Sequence, residues 1–157
     1  MRDTNFYNRL LNLTIDWEVF DLEIDDSLLE IVVHVRYVGE TAFCPLTDER
    51  CPVHDYNPVR RWRHLDTMQY KTFLSCKLPR VINSESKVTT VKSPWADYSD
   101  RYTCLFRDAV IELLQFCKNQ TKTALFFRIS FRKFQKFRIA VLFHYGKLNF
   151  QKTQNSR

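Results

Sequence analysis

Residues 121–145, TKTALFFRISFRKFQKFRIAVLFHY, separate one class of architecture from the rest. Residues 121–127 suit a short helix, Arg128-Ile129-Ser130 a tight turn, and residues 131–145 a longer helix with Ser130 as its cap. On that second helix Phe134, Phe137 and Val141 fall in one apolar stripe, while Arg132, Lys133, Gln135 and Lys136 project elsewhere. A short helix, a turn and a basic second helix form the layout of a helix-turn-helix DNA reader. Three packed helices with a basic, solvated face give the same periodicity, and the pattern by itself leaves both readings open.

Upstream of this segment Phe106, Ala109, Val110, Leu113, Leu114 and Cys117 recur at spacings of three and four. They predict a further helix, with Tyr98 to Asp100 as its start. Before Pro94 the period changes to two. Tyr70, Thr72, Leu74, Cys76 and Leu78 share one face of a strand over 70–78, and a second strand is expected over 62–65. Ile15, Trp17 and Val19, then Ile31, Val33, Val35 and Tyr37, alternate with polar neighbours on either side of Asp25-Asp26-Ser27, which predicts a hairpin. Asp3-Thr4 caps a short helix over 5–11. Residues 39–59, with Gly39, Pro45, Pro52 and Pro58, read as a loop-rich connection. The fold class expected is α+β, a small β-rich part followed by a helical unit.

Composition fits a folded chain. Hydrophobic residues are 45% and charged residues 27% of 157, so burial can offset the entropy of ordering. Residues 1–50 hold four Lys and Arg against eleven Asp and Glu, a net charge of −7. The remainder holds 20 basic and seven acidic residues, a net charge of +13, with no acidic residue after Glu112. Such polarity favours a polyanionic partner for the C-terminal half, because Lys and Arg displace counterions from phosphates. Two glycines, Gly39 and Gly146, exclude glycine-rich phosphate loops and the nucleotide folds that need them. Neither a signal peptide nor an apolar run long enough for a membrane span occurs, so a cytoplasmic location with no membrane partner is expected. Five cysteines, an odd number at irregular spacings, are expected as free thiols.

Several short runs occur in a telling order: Arg2-Asp3-Thr4-Asn5-Phe6-Tyr7, Trp17-Glu18-Val19, Cys44-Pro45, Pro52-Val53-His54-Asp55, Arg61-Trp62-Arg63-His64-Leu65-Asp66-Thr67, Leu78-Pro79-Arg80-Val81 and Pro94-Trp95-Ala96. In this combination the chain, over residues 1–146, resembles the front part of bacterial insertion-sequence transposases of the ISL-three family. That resemblance implies a β-rich, degenerate zinc-ribbon domain over 1–95 and a helix-turn-helix DNA-binding unit over 96–146; the basic tail over 147–157 shows no such resemblance. The resemblance also implies a catalytic domain beyond this point, so the chain is expected to be the non-enzymatic, DNA-binding fragment, with no catalytic residues of its own. A hydrolase built from Cys51, His54 and His64 has no supporting spacing. The four zinc-ligand positions of the family fall on Cys44, Thr47, Asn83 and Ser86, of which one alone offers a thiolate, so no cofactor and no metal are expected. Cys44, Cys51 and His54 stay open as a substitute set.

The partner expected is double-stranded DNA, in the terminal repeats of a mobile element. Its candidate contacts are Arg132, Lys133, Gln135, Lys136 and Arg138 on the last helix, with Arg61 and Arg63 beside Trp62 on a strand, where pairing of these arginines with Asp66 is the competing assignment. Arg128 stands where the family commonly has glycine in the turn, and Arg132 where an acidic residue is frequent. A decayed interaction module and a basic RNA-binding protein are the alternatives.

Overall fold

In the computed structural model, which describes residues 3–97 and 100–135, the first hairpin forms as its alternation predicts. Strand β1 (Trp17–Asp25) pairs antiparallel with β2 (Glu30–Tyr37). Its turn is held by Asp25, whose carboxylate accepts hydrogen bonds from the backbone of Ser27 and Leu28 and from the Ser27 hydroxyl. Helix α1 (Asp3–Leu10) lies against β1, and the Asn8 side chain accepts the Val19 N–H at 2.8 Å.

The chain then leaves this sheet and returns to it. Strand β3 (Thr41–Phe43) and β4 (Arg50–Tyr56) begin a second sheet, β5 (Arg60–Arg63) and β6 (Lys71–Cys76) complete the first, and β7 (Pro79–Ile82) and β8 (Val88–Thr90) complete the second. Both sheets have four strands, in the orders β1-β2-β6-β5 and β3-β4-β7-β8. The first holds the parallel pair β2–β6, and the second is antiparallel throughout.

Two expectations are corrected here. Residues 39–59 are not merely a loop, since β3 and β4 lie within them, and residues 79–90 hold two further strands. Proline content misled because Pro52 sits in β4 where it does little harm. The β4–β7 ladder covers Val53 to Tyr56, so the missing N–H of Pro52 falls outside it. The helical start is also later than Tyr98–Asp100. Arg63 N–H donates to Arg101 C=O at 2.8 Å and Thr103 N–H to Arg63 C=O at 2.9 Å, which keeps residues 101–103 extended beside β5. Helix α2 (Cys104–Cys117) therefore begins after Thr103, whose hydroxyl accepts the Phe106 N–H.

The core of this part is aromatic at its centre. Trp17 meets Tyr37 and Trp95 edge-to-face at 4.9 and 5.1 Å, and Trp62 meets Trp95 at 5.6 Å. Val33, Leu74 and Val81 are fully buried around them. The chain resolves into two compact units, Met1–Phe106 and Arg107–Arg157. In the second, α3 (Gln120–Phe126) follows α2, and residues 131–135 are helical again. Among the described residues of this unit Val110, Thr123, Ala124, Phe127 and Phe134 are buried. Phe134 thus takes the interior position its stripe predicts, while Phe137 and Val141 lie outside the described residues.

Candidate functional site

Two local arrangements carry residues of chemical interest, one in each unit. In the second unit Lys118, with φ 48°, ends α2, and Asn119 starts α3 by accepting the Lys122 N–H on its side chain at 2.9 Å. The end of α3 is a Schellman turn. Ile129 N–H donates to Ala124 C=O at 2.9 Å and Arg128 N–H to Leu125 C=O at 3.0 Å, with Arg128 at φ 52°. That is the left-handed position glycine fills most easily, and an arginine occupies it at a cost of about 1 kcal/mol. Phe134 N–H then donates to Ser130 C=O at 2.9 Å, which closes the first turn of the following helix.

On that helix Arg132 and Lys133 are exposed. Gln135 is half-buried, and its Nε2 donates to Gln120 Oε1 at 3.1 Å, so its amide is shared with α3 rather than wholly presented outward. Lys136 and Arg138 lie outside the described residues. Lys118, Lys122 and Arg128 are exposed in the same unit. Sequence reasoning named neither Lys118 nor Lys122, although their place at the entry to a short capped helix was the available signal. By sequence this unit has eleven Lys and Arg against two Asp and Glu, a net charge of +9, whereas the first unit nets −3.

Arg61 and Arg63 share one side of β5 as alternation requires, and both guanidinium groups lie over the Phe73 ring, at 4.5 and 5.4 Å. Their fates differ. Arg61 is exposed, 3.7 Å from Glu30. Arg63 is only 8% exposed, pairs with Asp66, donates to His64 C=O at 3.0 Å and Thr72 C=O at 3.2 Å, and also lies over Phe106. This internal engagement includes the pairing with Asp66 that competes with phosphate contact for Arg63. His64 beside it is buried, with Nδ1 2.9 Å from Thr103 Oγ1, and burial followed by the Arg63 charge lowers its pKa to about 4.

The other arrangement is at one end of the second sheet. Because β4 and β7 are antiparallel, the β3–β4 turn (44–49) and the β7–β8 turn (83–87) come to the same end. Ser84 Oγ donates to the Glu49 carboxylate at 3.1 Å, and Cys44 Sγ lies 3.3 Å from Thr89 Oγ1. Cys44 follows β3 and Thr89 lies in β8, so the second contact links the ends of the two outer strands of this sheet. The hydroxyls of Thr89 and Thr47 and the N–H groups of Leu46 and Thr47 favour the thiolate and lower the Cys44 pKa to about 7. Asn83 in the opposite turn uses Oδ1 to accept Glu85 N–H and Lys87 N–H at 3.1 and 2.8 Å.

Cys44, Cys51 and His54 do not gather into a metal-binding set. The Cys51 thiol leans toward Glu49 C=O at 3.6 Å and the His54 ring toward Asp55 at 3.3 Å. Among the described residues no group of three or more His, Cys, Asp and Glu is placed to hold a metal ion. Nor is any described helix long and apolar enough to cross a membrane. Comparison with known protein families, with curated proteins and with solved structures returns no match for this chain.

Proposed function

We propose that this chain binds double-stranded DNA, as the end-recognising part of a transposase-like protein, and that the helix beginning at residue 131 is its reader. One observation carries the reading. Helix α3, a four-residue turn fixed by Arg128 and a second helix with exposed Arg132 and Lys133 follow one another within a unit of net charge +9. In helix-turn-helix proteins the first residues of the second helix enter the major groove, so Arg132 is assigned to base edges and Lys133 to phosphate. Lys118 and Lys122, with Lys136 and Arg138 from the sequence, add sequence-independent attraction. Resemblance to the ISL-three transposases supports the same partner, with terminal repeats as the target class.

A second reading has its own support. Phe116, Leu125 and Phe126 are 87%, 71% and 70% exposed, which suits helices that meet another protein. Fluorescence anisotropy with a labelled duplex, the matching single strand and a structured RNA decides among these. The duplex should bind tightest, and its log affinity should fall linearly with log salt. Lys133→Ala should lower that slope by about one unit on every duplex, while Arg132→Ala should also blunt discrimination between duplexes. Equal or tighter binding of RNA or single strand overturns the assignment, and no binding of any nucleic acid favours the protein-docking reading.

A further inference from the structure

In the second unit the exposed apolar side chains and the exposed cations share the same short segments. Along α3, Lys122 stands three and four places before Leu125 and Phe126, so the three lie together on its outer face while Thr123, Ala124 and Phe127 turn inward. At the end of α2 the exposed Phe116 stands two places before the exposed Lys118, whose left-handed backbone turns the chain into α3. Cys117 Sγ, 3.2 Å from Thr123 Oγ1, ties the end of α2 to the first turn of α3.

The Phe126 ring has a firm support. It meets the Phe127 ring edge-to-face at 5.2 Å, and Phe127 is buried, so a fixed ring holds the exposed one. An aromatic face kept in water beside an ammonium group offers a flat apolar surface and a positive charge together. Bases supply the flat partner and phosphates the anionic one. Within a duplex the base faces are covered by their stacked neighbours, so an unpaired nucleotide is the form that presents both. Two other occupants fit less well. A second copy packed symmetrically would set Lys122 against its counterpart, in a unit of net charge +9. A bilayer would draw the Lys122 ammonium toward the hydrocarbon along with Leu125 and Phe126.

We propose that Phe116 and Phe126, with Lys118 and Lys122 beside them, take unpaired nucleotides of a strand that runs out of the bound duplex, so that the preferred ligand is a junction of duplex and single strand. This rests on the DNA reading above and adds to it the form of the DNA.

The probes are a blunt duplex, the same duplex extended at either end of one strand by unpaired thymidines, and counterparts whose extension is abasic and of equal length, titrated by fluorescence anisotropy. The abasic run carries the same phosphates without bases. At least one thymidine extension should bind about fivefold or more tighter than its abasic counterpart. Phe126→Ala and Phe116→Ala should each remove most of that gain, with the blunt duplex bound as by the parent and helical circular dichroism retained, since both side chains already stand in water. Phe126→Trp should keep the gain, whereas Phe126→Leu, apolar but without a π-face, should lose it. The proposal is overturned, with the DNA reading intact, if the blunt duplex binds but thymidine and abasic extensions are alike, or if Phe126→Leu keeps the full gain. Failure of every nucleic acid to bind removes both. Binding of the parent, but of neither alanine variant, to phosphatidylserine vesicles overturns it in favour of a membrane surface.

Discussion

Replacing Arg63 separates the two roles assigned to it most sharply. The guanidinium pairs with Asp66, caps the carbonyls of His64 and Thr72 at 3.0 and 3.2 Å, and lies 5.4 and 5.3 Å from the centres of the Phe73 and Phe106 rings. Arg63→Ala removes all of these and takes the guanidinium away from the Asp66 carboxylate, itself only 23% exposed. Breaking a buried pair from one side costs about 3–5 kcal/mol, a large share of the roughly 5–15 kcal/mol by which domains are folded. Arg61→Ala, at an exposed pair 3.7 Å long, should cost under about 1 kcal/mol. All three tryptophans, Trp17, Trp62 and Trp95, belong to the first unit, so their fluorescence during urea titration follows that unit alone. The expected result is a lower midpoint for Arg63→Ala with an unchanged slope, and a near-parental curve for Arg61→Ala. An Arg63→Ala chain with parental stability and weakened duplex binding would refute the internal assignment and restore Arg63 to the DNA-facing set.

His64 makes stability depend on acid. Its folded pKa of about 4 lies below the ordinary value of 6.5, so its contribution is complete above pH 6.5 and is lost as pH falls toward 4, about 1.4 kcal/mol per unit and on the order of 3 kcal/mol in all. Denaturant midpoints across this window should fall steeply for the parent and less steeply for His64→Gln; equal slopes would exclude the histidine as the cause. A Cβ on Gly39 would stand 2.8–2.9 Å from the Tyr37 ring and hydroxyl, which donates to Thr41 C=O at 2.6 Å. Gly39→Ala should therefore destabilise the first unit by about 1–3 kcal/mol, seen as a lower thermal midpoint by fluorescence. Arg128→Gly should relieve the left-handed backbone and raise the stability of the second unit by up to about 1 kcal/mol, while weakening duplex binding at low salt; a loss of helical circular dichroism would contradict the turn geometry.

What the sequence made legible follows from which forces act locally. Alternation in Ile31, Val33, Val35 and Tyr37 is set by a sheet buried on one face, and the β1–β2 hairpin appears with its Asp25 turn in place. Strands β3, β4, β7 and β8 were unread because three to seven residues with prolines carry too little periodic signal, and their pairing is non-local. The start of α2 moved to Thr103 for a similar reason. Tyr98–Asp100 has acceptable capping chemistry, but the ties between Arg63 and residues 101–103 take the backbone into an extended path first. Tertiary hydrogen bonds override a local preference worth about 1 kcal/mol.

The basic residues show the same limit in sharper form. A run such as Arg60-Arg61-Trp62-Arg63 tells which side chains share a face of a strand, but not which of them water can reach. Arg61 and Arg63 do share a face and even one aromatic ring, yet Asp66, three places beyond Arg63, draws that one guanidinium inward. On the helix from residue 131 the distinction was better written in the sequence. Phe134 had to be buried, so Arg132 and Lys133 were carried outward by helical geometry alone, whatever their partners. Gln135, next to the buried position, lies on the border between the two, and its hydrogen bond to Gln120 follows from that place. If Gln135 acts on DNA, it must do so with this bond exchanged or through its remaining amide groups. Gln120→Ala would then release Gln135 and change duplex preference without changing the salt slope, whereas a purely internal Gln135 would leave preference untouched when either glutamine is replaced.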